Sequence, residues 1–196
     1  MNPDNFKDSK AGMMQFARLD EYKDIITAQE LNSYLNTYCK PGNVFYNQGQ
    51  SFINAAKKNN INVLYLVAHS MIETGYGKSK LANGTVVNGT TVYNFFGIGA
   101  YDGSANTSGA QAAYKNGWTS VEKTIDGSAE WIARGYIHNS KYNQNTLYKM
   151  KFNYNHPYHQ YATDLNWPKM IGIKMANILG YSSTGDLNSY EVPSYQ

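Results

Sequence analysis

The chain of 196 residues contains one cysteine, Cys39. A single thiol forms no intramolecular disulfide, and the paired cysteine spacings that build zinc sites are absent. Charge is also scarce: Asp, Glu, Lys and Arg make up 16% of residues and the formal net charge is only +3. Nucleic-acid readers carry clustered basic stripes, so no nucleic-acid partner is expected. No apolar run approaches the roughly 18 residues of a membrane-spanning helix, so membrane insertion is not expected either. The polar start from Met1 to Lys10 is no secretory signal. Work outside the cell would require an export signal already removed, or another route of release.

What is abundant is aromatic surface, 14% of residues, including 18 tyrosines. Tyr and Trp combine a flat apolar face with a polar edge, which suits polar ligands that have apolar faces, as sugars do. The length fits one domain able to bury its own core. No internal repeat or linker divides it.

Helical signals dominate. The first twenty residues read as an irregular arm. Thr27-Ala28-Gln29-Glu30 is a capping box for a helix that should bury Leu31, Tyr34, Leu35 and Tyr38, with Pro41-Gly42 beyond its end. A second helix is expected from about Gln48 to Lys58, with Phe52, Ile53 and Ala56 on its inner side. Ile61, Leu64, Val67, Ala68, Met71 and Ile72 then mark a deeply buried helix ending near Gly75 and Gly77. Val86-Val87-Asn88-Gly89-Thr90-Thr91-Val92 carries an Asn-Gly pair between β-branched residues, a strong hairpin signal. The stretch from Gly97 to Gly117 is expected to be looped or short-stranded. Thr119-Ser120-Val121-Glu122 should cap a helix burying Val121, Ile125, Ala129 and Ile132. Pro168 should open a last helix that Gly180 ends, followed by a tail. The expected class is α+β, mainly α, with one small β-lobe.

One acid stands apart. Between Glu30 and Asp102 the only acidic residue is Glu73, near the C-terminal end of the most apolar helix. Burial and the negative end of the helix dipole both disfavour its charged form, so a proton retained near neutral pH is expected, as a general acid requires. The alternative is a helix-end carboxylate paired with Lys78 or Lys80 in solvent. Glu122, Asp126 and Glu130 recur at four-residue spacing as a solvated helix face. Asp102 and Asp164 remain as second carboxylates, although the role favoured for Asp164 is to cap or brace the loop before Pro168. His69 shares a helix face with Glu73, but the metalloprotease pattern is missing and His138, His156 and His159 have no fixed spacing, so no metal and no cofactor are expected.

The segment from Ala68 to Gly77, Ala-His-Ser-Met-Ile-Glu-Thr-Gly-Tyr-Gly, resembles the catalytic-helix motif of the glucosaminidase family of bacterial autolysins, glycoside hydrolase family 73. The resemblance continues in Val92 to Asp102, Gly117-Trp118, Gln144 to Met150 and His159 to Asp164, so it spans roughly Leu64 to Trp167. It implies a lysozyme-like fold, a helical body and a small β-lobe with a cleft between them. It also implies cleavage of the β-1,4 bond between N-acetylglucosamine and N-acetylmuramic acid in peptidoglycan, by a monomer that is secreted and wall-associated.

By the same resemblance Glu73 is the catalytic acid, Tyr161 lines the site opposite it, and Asn94 and Phe95 form its floor. The second catalytic group is either Asp102, as a base, or the substrate's own 2-acetamido group. Tyr93, Tyr101, Trp118, Tyr136 and Trp167 would either stack on sugars or pack in the core. Residues 1–47 form an N-terminal arm and helix packed on a catalytic domain of residues 48–196, the whole expected as one compact unit. The competing readings are a muramidase of the same fold, a non-catalytic peptidoglycan-binding module, and a cysteine peptidase built on Cys39.

Overall fold

A computed structural model describes residues 9–100 and 105–194. Its centre is helix α4, Val63–Glu73, in which every residue from Val63 to Met71 is buried. Asn62 starts it: the side-chain oxygen accepts from the backbone N–H groups of Leu64 and Tyr65, while its amide nitrogen donates to Arg18 and Asn188. A helix apolar all round needs cover on every side. α8, Trp167–Leu179, supplies one wall and α3, Gly49–Lys58, another, with α6, Val121–Ile132, packed outside α3. Each fully buried Leu or Val contributes about 1.5–3 kcal/mol relative to exposure.

α2, Ala28–Tyr38, begins with the expected capping box, Thr27 and Glu30 bonding reciprocally. Tyr38, expected inside, is 39% exposed. Its ring stacks on Tyr76, with the Lys174 ammonium over both rings, so it covers the core from outside. Ile53 of α3 is likewise only partly buried.

The β-lobe is a two-stranded antiparallel hairpin, β1 Thr85–Val87 and β2 Thr90–Val92, in the register Val87↔Thr90. Asn88 and Gly89 both have positive φ, 49° and 76°, as the mirror-image two-residue turn demands.

Three expectations need correction. The chain after Gly97 is not simply loop: α5, Ala105–Lys115, packs on both strands, with Ala110 and Ala113 buried. Its small alanines allow close approach to the hairpin, and the neighbouring glycines masked that helical face. The cap of α6 is Ser120, one residue beyond the expected Thr119; its hydroxyl accepts from the Lys123 N–H. The two ends are also more ordered than an arm and a tail. α1, Lys10–Met13, and a 3-10 turn, Met14–Phe16, pack on α8. Ala17 forms a bridge with Tyr190, and the Phe16 carbonyl accepts from the Glu191 N–H.

α7, Leu147–Lys151, and the π-helical turn Ala133–Ile137, which continues α6, complete the helical body. The result is the lysozyme-like arrangement expected: a helical body carrying a small sheet lobe.

Candidate active site

Glu73 is the last residue of α4, and its side chain keeps 29% of its surface open. Two nitrogen groups face one of its oxygens. Trp167, placed by the first turn of α8, donates its indole Nε1–H to Oε1 at 3.4 Å. Nε2 of His69, one turn back on α4, lies 3.4 Å from the same atom. The His69 contact is close but poorly aligned, and Nε2 has no hydrogen bond elsewhere among the described residues.

Burial pushes the Glu73 carboxyl up, but the His69 ring and the Trp167 N–H favour the ionised form, and the net direction is below the ordinary value of 4.5. The expected proton near neutral pH is therefore not held by the free protein. Sequence reasoning counted burial and the helix dipole but missed the two nitrogen groups that outweigh them. No ion pair joins Glu73 to Lys78 or Lys80 among the described residues, so the solvent-paired alternative is not what the fold builds.

Around the carboxyl the aromatic side chains form a continuous run. The Tyr161 ring meets His69 edge-on at 4.7 Å between centroids and lies 4.9 Å from Trp167. Tyr136, on the π-helical turn, is 5.2 Å from Tyr161, and Trp131 is 5.8 Å from Tyr136. π-helical turns recur at functional sites because the extra residue re-aims side chains. Burial raises the Tyr161 phenol well above its ordinary value, and the neighbouring Glu73 charge adds to this. The run ends at an open groove of about 680 Å³ along α6, lined by Trp118, Trp131, Lys123, Glu130 and Arg134; Glu73 is not among its walls.

The loop carrying Tyr161 is held from beneath. Lys151, almost wholly buried, donates to Gln160 Oε1 at 2.7 Å and to the carbonyls of Ala162 and Thr163 at 2.9 Å. Gln144 donates to the His159 carbonyl at 2.7 Å and pairs with the His159 ring. Sequence reading passed over Lys151, because a buried lysine is unremarkable in sequence until its oxygen partners are known.

Other expected residues fall elsewhere. Asn94 is buried, and its side chain is spent on the Ile98 and Gly109 carbonyls and the Ile98 N–H, so it braces the β-lobe and offers no free polar atom. Phe95, expected in the floor of the site, is buried in the core against Phe45; its neighbour Phe96 stacks on His69 at 4.2 Å. Adjacent phenylalanines cannot be told apart by sequence pattern alone.

Trp118 is buried, with its indole against Gly127. Tyr93 is half-buried on the β-lobe, its N–H bonded to the Trp118 carbonyl. Asp164 is exposed and accepts from the Asn166 N–H at 2.9 Å, bracing the entry to α8. Tyr101 and Asp102 lie outside the described residues. Cys39 is buried with its thiol pushed up to about 11, and no histidine faces it among the described residues, so the fold gives no support to a cysteine nucleophile.

A helical body with a small hairpin lobe, and a carboxyl at the end of its central helix beside an aromatic run, define a protein of the lysozyme-like class. Comparison with known sequences narrows this. The family model described as glucosaminidase, mannosyl-glycoprotein endo-beta-N-acetylglucosaminidase, matches residues 49–178, and the chain belongs to this family. It is 40% identical over its whole length to a beta-N-acetylglucosaminidase of Bacillus subtilis (strain 168), of which it covers 22%. It is 41% identical over 93% of its length to a bifunctional autolysin of Staphylococcus epidermidis, of which it covers 14%. The chain thus spans less than a quarter of these curated relatives.

Among solved structures, S. aureus autolysin E matches with a TM-score of 0.74 and 37% identity, over 91% of this chain and 76% of that one. A catalytic mutant of the same autolysin, glutamate to alanine, in complex with the disaccharide NAG-NAM, matches at TM-score 0.73 and 39% identity, over 85% and 72% of the two chains.

Proposed function

We propose that this chain hydrolyses peptidoglycan at the β-1,4 bond on the reducing side of N-acetylglucosamine, with Glu73 as general acid. The observation that carries this reading is the partly open carboxyl of Glu73, with Oε1 facing His69 and Trp167 and an aromatic run leading away from it. A related autolysin, whose catalytic mutant lacks a glutamate and binds NAG-NAM, supports the same reading. The glycan strand lies along the partly buried Tyr161 and Tyr136 and the exposed Trp131, whose rings suit the apolar faces of sugars, while Trp167, only 3% exposed, packs beneath them and holds the carboxyl. Glu73 protonates the glycosidic oxygen as positive charge develops on the ring. Asp102 as base, or the substrate's acetamido group, completes the displacement on the opposite face. Tyr161 lines the reacting centre.

The proposed place of action is the cell wall, outside the cytoplasm, in keeping with the autolysins among its relatives. Residues 1–47 serve as a packed extension of the catalytic unit of residues 48–196.

Borohydride reduction of a digest, followed by mass spectrometry, tests the linkage. The expected new end is N-acetylglucosaminitol. Muramitol at that end would replace this reading with a muramidase.

The lowered Glu73 carboxyl sets a pH dependence. A general acid must be protonated, and a group titrating below 4.5 loses its proton progressively as pH rises. The value of kcat/KM on a soluble glycan oligosaccharide is therefore expected to rise as pH falls from 7 toward 5. A bound sugar strips water from the open edge of the carboxyl and disfavours its charge, so the corresponding limb of kcat should lie at higher pH than that of kcat/KM. Stability runs the other way. A depressed carboxyl stabilises the fold at pH above its unfolded value, and that contribution is lost as pH falls through the folded value. Coincident limbs for kcat and kcat/KM would contradict the proposed uptake of a proton under the substrate.

A further inference from the structure

Tyr65, His69 and Glu73 succeed one another at four-residue spacing and so form a column along one face of α4. Tyr65 and His69 are fully buried, and the Tyr65 hydroxyl lies 2.9 Å from Nδ1 of His69. The other ring nitrogen, Nε2, is buried without a well-formed hydrogen bond, and Glu73 Oε1 is 3.4 Å from it. Phe96 stacks on the imidazole, and Tyr161 and Trp167 meet it edge-on.

This geometry selects a tautomer. If Nδ1 carried the single proton of a neutral ring, the Nε2 lone pair would confront a carboxylate oxygen and the Tyr65 proton would have no acceptor. With Tyr65 donating to Nδ1, the ring proton sits on Nε2 and faces Glu73. The Trp167 N–H then donates to Oε1 and the His69 Nε2–H lies 3.4 Å from the same atom in a poorly aligned contact, while the described residues give Oε2 no hydrogen bond.

We infer that His69, fixed by Tyr65, is a positioning residue for the general acid: together with Trp167 it occupies Oε1 of Glu73 and so confines the transferable proton to Oε2. The inference rests on the reading of Glu73 as the acid. Its consequence is directional. A carboxylic acid has two oxygens on which its proton can reside, and blocking one keeps the proton on the oxygen left for substrate. The titratable groups that face the pair from the surrounding elements are Tyr65 on α4, Tyr161 from the loop before α8 and Tyr136 from the π-helical turn. All three phenols are held above their ordinary value by burial and stay neutral across the working range.

The test compares pH profiles of kcat and kcat/KM on a soluble glycan oligosaccharide. The variants are the double His69→Phe with Tyr65→Phe, which keeps both rings and leaves no orphaned hydroxyl, and His69→Gln, whose amide N–H can reach Oε1. The double variant is expected to lower kcat by about tenfold with little change in KM, and to move the alkaline limb of kcat/KM up by roughly one pH unit as the carboxylate loses a donor. His69→Gln is expected to recover most of the rate.

Unmoved limbs, with a fall in kcat no larger than the loss of folded protein measured by thermal unfolding, would overturn the proposal. Should the double variant fail to fold, Tyr65→Phe alone decides: a smaller upward shift of the limb supports the inference, and no shift in a folded protein overturns it. Full activity in Glu73→Gln would instead remove the acid itself, a failure distinct from an inactive Glu73→Gln accompanied by an unmoved limb.

Discussion

Glu73→Gln is expected to reduce peptidoglycan hydrolysis by about two to four orders of magnitude, the range in which general acid catalysis contributes. The amide keeps the shape of the side chain and can still accept from the Trp167 N–H through its carbonyl oxygen, so the fold should persist. It has no acidic proton to give the leaving oxygen. Binding should survive, because the aromatic run proposed to seat the strand does not depend on the carboxyl. The discriminating measurement pairs turnover of purified cell walls with binding to the same walls. Retained binding with lost turnover is the expected pattern. Undiminished turnover would mean that another group donates the proton, and would revive a purely binding role for the Glu73 face.

The second large effect concerns stability. Gly127 lies within α6 where the Trp118 indole presses against the helix, and a Cβ there would fall 2.0 Å from Nε1. Carbon and nitrogen atoms not bonded to one another rest near 3.5 Å, so a shift of a few tenths of an ångström gives no relief. Gly127→Ala would gain about 1 kcal/mol of helix propensity. Against this stands the displacement of a tryptophan only 4% exposed, a change comparable to a large core truncation and worth about 3 kcal/mol or more. Packing wins, and the variant is expected to lose roughly 2 kcal/mol or more in denaturant unfolding. Because the Trp118 carbonyl also accepts from the Tyr93 N–H, the β-lobe should loosen with it. An unchanged or raised midpoint would show that the indole has another place to go.

Much of this fold was legible where local chemistry and burial agree. The capping box at Thr27, the apolar column of α4, the Asn88-Gly89 turn and the Pro168 helix all state their structure in a few residues. Reading failed where two signals overlapped. The alanines of α5 were hidden among glycines, and Tyr38 has helical spacing but serves as an outer cover. At the site the sequence pointed to Glu73, Tyr161 and Trp167, which the fold brings together. It misjudged the proton on Glu73 because the decisive partners come from different distances along the chain: His69 one turn away, and Trp167, 94 residues later, whose contact only tertiary folding creates. Lys151 escaped notice because its partners, the Gln160 side chain and the Ala162 and Thr163 carbonyls, meet it only once the following loop folds back.

The wide turn after α6 has a geometric consequence. Hydrogen bonds that span five residues accommodate one more residue than an ordinary helix would, and each residue in a helix turns the next by about 100°. The turn Ala133–Ile137 therefore works as a fixed azimuthal offset, aiming the phenol of Tyr136 at Tyr161 where an uninterrupted α-helix would point it elsewhere. One surplus position in a loop-free stretch of chain is enough to join the rim at Trp131 to the aromatic rings beside Glu73.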